Sequence, residues 1–302
     1  MKVLIGYDGS ASAEAALEEL KRAGLPADTK ILVATVASIW TPPTEIASLP
    51  GAALTSRRLT ATMAQLQNQA ERTLNEAEET AGEAAARIKS DFPEWQVGTT
   101  ILSGDAAFEI IRQAAAWHAD LIVTGSQNRS AIGRFFLGSV SQKVFIEADC
   151  SVRIARSETT IDKDASRRIV AGIDDSESAD LIVDAIAERN WTANSAVKLV
   201  TATDIFRENS VSPFKEFIKT QDFHNQAREK LAASGLKVSA AVNVGEASNE
   251  LLVEAEKWNA DCIFVGTRDI RGILDRFLIG SVSAGLAANA PCSVEVVRAH
   301  AV

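Results

Sequence analysis

The chain has 302 residues, enough for two domains of ordinary size. With 46% hydrophobic and 24% charged residues it is composed like a folded, water-soluble protein, which argues against intrinsic disorder. Its 40 Asp and Glu outnumber 31 Lys and Arg for a net charge of −9, a sign that repels phosphate backbones and argues against nucleic acid as a partner.

The opening Met1-Lys2-Val3-Leu4-Ile5-Gly6-Tyr7-Asp8 holds an apolar run too short for a signal-peptide core, and no later run is long enough to cross a membrane. Cys150, Cys262 and Cys292 have no paired spacing, so neither a disulfide framework nor a zinc motif is expected. A cytoplasmic location suits both features, with no membrane partner.

Residues 3–7 read as a strand, residues 13–23 as a helix with Ala16, Leu17 and Leu20 on one face, and residues 31–36 as a buried strand. From Leu59 to Ile88 the apolar residues recur at spacings of three and four, including Leu66, Leu74, Ala77 and Ala81, which predicts a long amphipathic helix covering the sheet. Residues 97–102, 121–124 and 152–155 read as strands, and 107–117 and 139–148 as helices. Residues 157–166 are polar and aperiodic, and read as a linker.

The pattern then repeats. Residues 3–10 recur as 169–176, and Ala119-Asp120-Leu121 as Ala260-Asp261-Cys262. Leu137-Gly138-Ser139-Val140-Ser141 recurs as Ile279-Gly280-Ser281-Val282-Ser283, and Cys150-Ser151-Val152 as Cys292-Ser293-Val294. Four blocks in the same order predict two head-to-tail domains, 1–160 and 161–302, the first longer by about 25 residues that fall between Thr41 and Val97. The second copy has a shorter second helix, near residues 213–233. Apolar strands alternating with helices predict an α/β fold: two tandem doubly wound, Rossmann-like domains, each with a five-stranded parallel sheet.

In such sheets ligands lie beyond the carboxyl ends of the strands, where strand order reverses. Asp8-Gly9-Ser10 follows the first strand, Val36 ends the second, and Gly125-Ser126-Gln127-Asn128 follows the fourth. Gly138-Ser139-Val140-Ser141 opens the next helix, where free backbone N–H groups and the positive dipole end suit phosphate. Capping by Ser139 explains the Gly-Ser pair taken alone. The convergence of four such sites on one crevice favours a ligand.

These motifs resemble the universal stress proteins of the nucleotide-binding kind, which carry Gly, two residues, Gly, nine residues, then Gly-Ser. Gly125, Asn128 and Gly138-Ser139 keep that spacing, with Asn in place of the middle Gly. Gly104-Asp105-Ala106 and Gly245-Glu246-Ala247 resemble the loop before the family's third helix, and residues 291–298 its last strand. The resemblance implies that Asp8, with Gly9 beside it, accepts a hydrogen bond from adenine or ribose and that Val36 meets the adenine edge. Thr124 and Gly125 would line the ribose, and Gly138, Ser139, Val140 and Ser141 would hold the phosphates. The matches in the second half are Asp174, Ala202, Val265, Gly266, Gly280, Ser281, Val282 and Ser283.

The implied ligand is ATP, with Mg2+, and the implied role is a stress-response protein whose contacts with itself or a partner depend on nucleotide. A slow ATP hydrolase and a nucleotide-free dimeric scaffold with degraded sites are the alternatives; no catalytic residue is nominated. The last strands, 152–155 and 294–297, are expected at sheet edges, and the resemblance implies that the halves dock through them and that the chain forms a homodimer. The first half is expected to bind more tightly, because Asp175 replaces Gly9, Ala202 replaces Val36, and the second loop is one residue longer and carries Asp269. Nothing suggests other chemistry: there is no P-loop, no dinucleotide glycine loop and no receiver-domain Asp and Lys, and His118, His224 and His300 form no triad.

Overall fold

The computed structural model describes residues 1–38, 56–126, 137–156, 162–174, 177–203, 213–267 and 280–299. The first half runs β1 (Lys2–Gly6), α1 (Ala11–Glu19), β2 (Lys30–Ala37), α2 (Ser56–Asp91), β3 (Gln96–Ser103), α3 (Ala106–Trp117), β4 (Leu121–Gly125), α4 (Ser139–Glu147) and β5 (Ser151–Ala155). The second runs β6 (Arg168–Gly172), α5 (Glu177–Ala187), β7 (Ala196–Thr203), α6 (Pro213–Ala233), β8 (Lys237–Val244), α7 (Ala247–Trp258), β9 (Cys262–Gly266), α8 (Ser281–Asn289) and β10 (Ser293–Val297). The expected first helix is shorter than its apolar pattern: α1 stops at Glu19 and Leu20–Arg22 tightens into a 3-10 turn.

The strands form one ten-stranded sheet in the order β3-β2-β1-β4-β5-β10-β9-β6-β7-β8. Neighbours within each half are parallel, as in a doubly wound α/β fold. The exception joins the halves: β5 and β10 are antiparallel, with Val152 opposite Val296, Arg153 opposite Glu295 and Ile154 opposite Val294.

Strands this apolar must be covered on both faces, and they are. In the first half, α1 and α2 cover Val3, Ile5, Ile31 and Val33. The C-terminal part of α2 is buried through Ala77, Ala81, Ala84 and Ile88, and Leu66, Ala70 and Leu74 are half-buried; the side chains of residues 56–63 lie outside the description. On the opposite face α3, α4, α7 and α8 share one core that passes through the seam, from Leu4 and Phe145 to Leu286 and Ile263. The helices α5 and α6 cover the rest of the second half. All three cysteines are buried and unpaired, and burial pushes the thiols of Cys150 and Cys292 up to about 12, so they are packing groups.

Charge is also buried at the seam. The Arg153 guanidinium, fully buried on β5, donates from Nε to Glu19 Oε1 at 2.8 Å and from Nη1 to Glu295 Oε2 at 2.9 Å. Its Nη2 lies 2.6 Å from the same Glu19 oxygen but is misaligned for a hydrogen bond. Glu295 also receives Arg189, while the other Glu19 oxygen accepts from Arg22 Nε at 2.6 Å and from the Ser293 hydroxyl at 2.8 Å. Each half further lends an arginine to the other. Arg156, just after β5, donates to the carbonyls of Leu286, Ala287 and Ala290 at the C-terminus of α8. Arg298, just after β10, donates to those of Phe145 and Cys150 at the C-terminus of α4. Cations there satisfy unpaired carbonyls and the negative end of the dipole.

Burial alone would raise the Glu19 carboxyl, but Arg22, Arg153 and the Ser293 hydroxyl outweigh it and hold its pKa below the ordinary value. Glu19→Gln takes the carboxylate from half-buried Arg22 and leaves buried Arg153 with Glu295 alone, and is expected to cost about 3 kcal/mol in urea denaturation. The depressed pKa means that Glu19 contributes fully above the ordinary glutamate value of about 4.3 and loses its contribution as pH falls through the folded value. The Glu19→Gln chain should lack that component of acid destabilisation; equal stability of the two chains at pH 7 would show that the network contributes nothing.

Candidate functional site

Strand order reverses between β1 and β4 in the first half and between β6 and β9 in the second. The chain leaving β1 enters α1 on one face, and the chain leaving β4 leads to α4 on the other. The two connections therefore part and leave a crevice beyond the strand ends.

In the first half a chain of short contacts draws the expected residues together. Asp8 and Gly9 are exposed, Gly9 has a φ of +74°, and Asp8 Oδ1 accepts from Ser10 N at 3.0 Å. Ser10 caps α1 by accepting from Ala13 N at 3.2 Å, and its hydroxyl meets that of Ser12 at 2.9 Å. The backbone of Ser12 presses on Gly125: a Cβ there would lie 1.7 Å from the Ser12 carbonyl oxygen. Gly125 is thus demanded by the packing of α1 on β4, apart from any ligand. Ser141 Oγ donates to Gly125 O at 2.7 Å, so the 2.7 Å contact between the Thr124 and Ser141 hydroxyls is donated by Thr124, an assignment made from the network. Val36 is half-buried, on β2 beside the β1 end, where Tyr7 N donates to Ala34 O at 2.9 Å.

The start of α4 differs from that of α1. Gly138 is its N-cap, with φ −60° and ψ 156° and no side-chain cap, so the capping by Ser139 that the sequence allows is not made; Ser139 is the exposed first helical residue. The first intrahelical bond runs from Gln142 N to Gly138 O, which leaves the N–H groups of Ser139, Val140 and Ser141 ahead of the ladder. Val140 is half-buried and Ser141 buried.

The second half repeats this arrangement. Asp174 is exposed after β6, Ala202 is half-buried on β7 and Val265 is buried on β9. A Cβ on Gly266 would lie 2.7 Å from Ser178 Cβ, so this glycine too serves helix packing. Gly280 caps α8 with φ −60° and no side-chain acceptor, followed by exposed Ser281 and half-buried Val282. Ser283 is buried and its hydroxyl donates to Gly266 O at 3.3 Å, but Val265 stands where Thr124 does and supplies no second hydroxyl. Asn128, Asp175 and Asp269 lie outside the described residues.

Two polar groups beneath the crevices escape sequence reasoning. Tyr7, the single tyrosine, donates to Glu14, which Arg87 of α2 also engages. Burial and the Glu14 carboxylate push the phenol up to about 12. In the second half the Thr201 hydroxyl donates to Ile173 O at 2.8 Å and meets His224 Nε2 at 2.9 Å, so that nitrogen carries the proton. Burial, then Arg228, lowers the His224 pKa and keeps the ring neutral. The position of Tyr7 directly after a strand was the one available signal; the His224 contact spans two elements. Among the described residues no group of three or more His, Cys, Asp or Glu could hold a metal ion, and no helix is long and apolar enough to cross a membrane.

The family model for the universal stress protein family matches this chain twice, over residues 1–156 and 165–298, with the gap falling inside the expected linker. A universal stress protein of Thermus aquaticus is 46% identical over 56 residues, 18% of this chain and 41% of that protein. One of Methanocaldococcus jannaschii is 36% identical over 76 residues, 24% of this chain and 45% of that protein. The matched stretch thus spans less than half the length of these curated relatives. The crystal structure of a universal stress protein from Archaeoglobus fulgidus has the same fold, with a TM-score of 0.70 at 21% identity, covering 98% of each chain.

The glycines of the site fall into two kinds, which stability measurements separate. Gly125→Ala drives a side chain into backbone and is expected to cost about 3 kcal/mol or more. Gly280→Ala meets nothing within 4 Å among the described residues and should cost no more than about 1 kcal/mol, the difference between Gly and Ala at an N-cap. Equal losses in chemical denaturation would contradict this division.

Proposed function

Because the chain belongs to the universal stress protein family, we propose that it is a cytoplasmic stress-response protein that binds ATP, with Mg2+, beyond the carboxyl ends of its strands. Its contacts with itself or a partner then depend on the nucleotide held. The observation that carries this reading is the bare start of α8, matched at α4. Gly280 has a φ of −60°, which any residue adopts, and a Cβ there would meet nothing within 4 Å among the described residues, so neither its conformation nor their packing calls for glycine. What the missing side chain leaves is backbone N–H groups with no side-chain cap among the described residues, at the positive end of a helix and at a strand-order switch point, the arrangement that receives phosphate.

In this reading 1–160 and 161–302 are two nucleotide-binding domains docked within one chain, and that chain forms homodimers. The β5–β10 ladder supports the docking. The first half is the tighter site: its Thr124 and Ser141 hydroxyls brace the β4 end against α4, and Val36 offers adenine more apolar surface than Ala202.

Titration calorimetry of the full chain with ATP and Mg2+ tests the sites. Gly138→Val is expected to weaken the tighter site at least tenfold, about 1.4 kcal/mol, and Gly280→Val to remove the weaker one. Unchanged isotherms for both variants would remove phosphate from these helix starts. Phosphate released over many turnovers in wild type would instead identify a hydrolase. For the docking, Val294→Asp with Val296→Asp places two charges at wholly buried positions of the ladder. The pair should abolish single-step unfolding and enlarge the chain in solution; wild-type stability and size would reject the docked arrangement.

A further inference from the structure

We propose that a cavity between the two halves, separate from both crevices, is a second ligand site that takes a small molecule bearing a phosphate or carboxylate oxyanion and thereby ties the halves together. The cavity has a volume of about 300 Å³, at the lower end for small-molecule sites. Its walls come from connections that enter strands β2, β3, β6 and β7, whereas the nucleotide site follows the strands' exits. Lys21, Arg22 and Trp95 line it from one half, and Lys163, Arg167 and Trp191 from the other.

Two of these groups hold donors that the protein does not use fully. Arg167 is only 5% exposed, yet among the described residues no carboxylate forms an ion pair with it; its guanidinium donates to two main-chain carbonyls, those of Lys21 and Asp162. A buried cation served only by neutral carbonyls is costly and calls for an anion. Burial, the largest influence, lowers the pKa of Arg167, and the surrounding carboxylates do not restore it. Trp95 is 2% exposed, and its indole N–H, also buried, has no acceptor among the described residues. A buried guanidinium in the wall of this cavity, met among the described residues by neutral carbonyls alone, selects an acceptor-only group, which is what an oxyanion is.

The remaining charges leave this preference standing. Lys21 is held by Glu18 and Asp91, and Arg22 by Glu19, so they are already neutralised. Lys163, Glu94 and Asp164 are exposed at the rim, where water screens them. The walls exist only while the halves are together. Gly24 lies on the face of Trp191, with φ +64° and space for a Cβ only 2.8 Å from the ring, and Asn190 N donates to Gly24 O at 2.8 Å. Arg189 reaches Ala23 O across the same seam at 2.8 Å. A ligand bound between these walls stabilises the docked chain by mass action.

The test titrates the full chain with inorganic phosphate and, separately, with malonate, following tryptophan fluorescence and the thermal midpoint; whichever probe saturates names the oxyanion class. One of them is expected to saturate and raise the midpoint, with Arg167→Gln weakening it at least about tenfold. The Gly138→Val, Gly280→Val double variant, altered only at the nucleotide sites, should bind the probe as wild type does. Should Arg167→Gln not fold, Arg167→Lys keeps the charge without the planar fork and should weaken binding about threefold or more. No saturation by either probe below about 10 mM overturns the proposal. So does binding that a folded Arg167→Gln or Arg167→Lys chain retains in full, or that is lost with the nucleotide-site glycines.

Discussion

Arg153 and Glu295 face each other at the centre of the β5–β10 ladder, both shut off from water, and the seam of the molecule is organised around them. They occupy the same place in the two repeats, Ser151-Val152-Arg153 and Ser293-Val294-Glu295. A charge in a dry interior is tolerated only when paired and hydrogen-bonded. Their apolar neighbours Val152, Ile154, Val294 and Val296 make each edge adhesive, but they would serve equally for pairing with a second copy of the same strand. In that register β5 on β5 would set Arg153 against Arg153, and β10 on β10 would set Glu295 against Glu295. Opposite charges at equivalent positions thus let hydrophobic burial hold the halves while electrostatics chooses which edge meets which. Glu19, Arg22 and Arg189 extend the same logic to the helices above the seam.

The helices α4 and α8 show how one element divides its two ends between stability and ligand. At the C-terminal ends the exposed carbonyls are satisfied by an arginine of the opposite half, Arg298 for α4 and Arg156 for α8. At the N-terminal ends a glycine stands where Ser, Asp or Asn would stabilise the helix, and α1 and α3, capped by Ser10 and Asp105, show that the chain uses such caps elsewhere. Stability is thus withheld at the one end that faces the switch point. Linking the other end to the neighbouring half couples the helix that would carry phosphate to the seam.

The two halves keep one backbone plan and differ in the polar groups beneath it. Under the first crevice Tyr7, Glu14 and Arg87 connect the β1 exit to α1 and α2. Under the second, Thr201 and His224 connect β7 to α6, and the Tyr7 position holds Ile173. The brace from Thr124 to Ser141 has no counterpart at Val265. A repeat that conserves its apolar strands while exchanging these contacts keeps its fold, because strand burial sets the architecture, and frees each crevice to differ.

The sequence alone determined the repeat, the alternation of strand and helix, and the strand ends where a site should lie. These follow from local rules: apolar runs must be covered, helical stripes recur every three or four residues, and parallel sheets expose their sites at carboxyl ends. Single residues carried that much because Gly138 and Gly280 each recur in the same local frame. Tertiary structure decided the rest. Gly125 and Gly138 look alike in the sequence, yet one answers to the Ser12 backbone and the other to no side-chain cap. Arg153 pairs with Glu19 and Glu295, far from it in the chain, and Arg156 and Arg298 serve the opposite repeat. Arg167 and Trp95 share a cavity only because the β5–β10 ladder brings two separate connections together. No periodicity encodes such meetings: burial of charge depends on which distant surfaces close over it, and that is a property of the assembled sheet rather than of any segment.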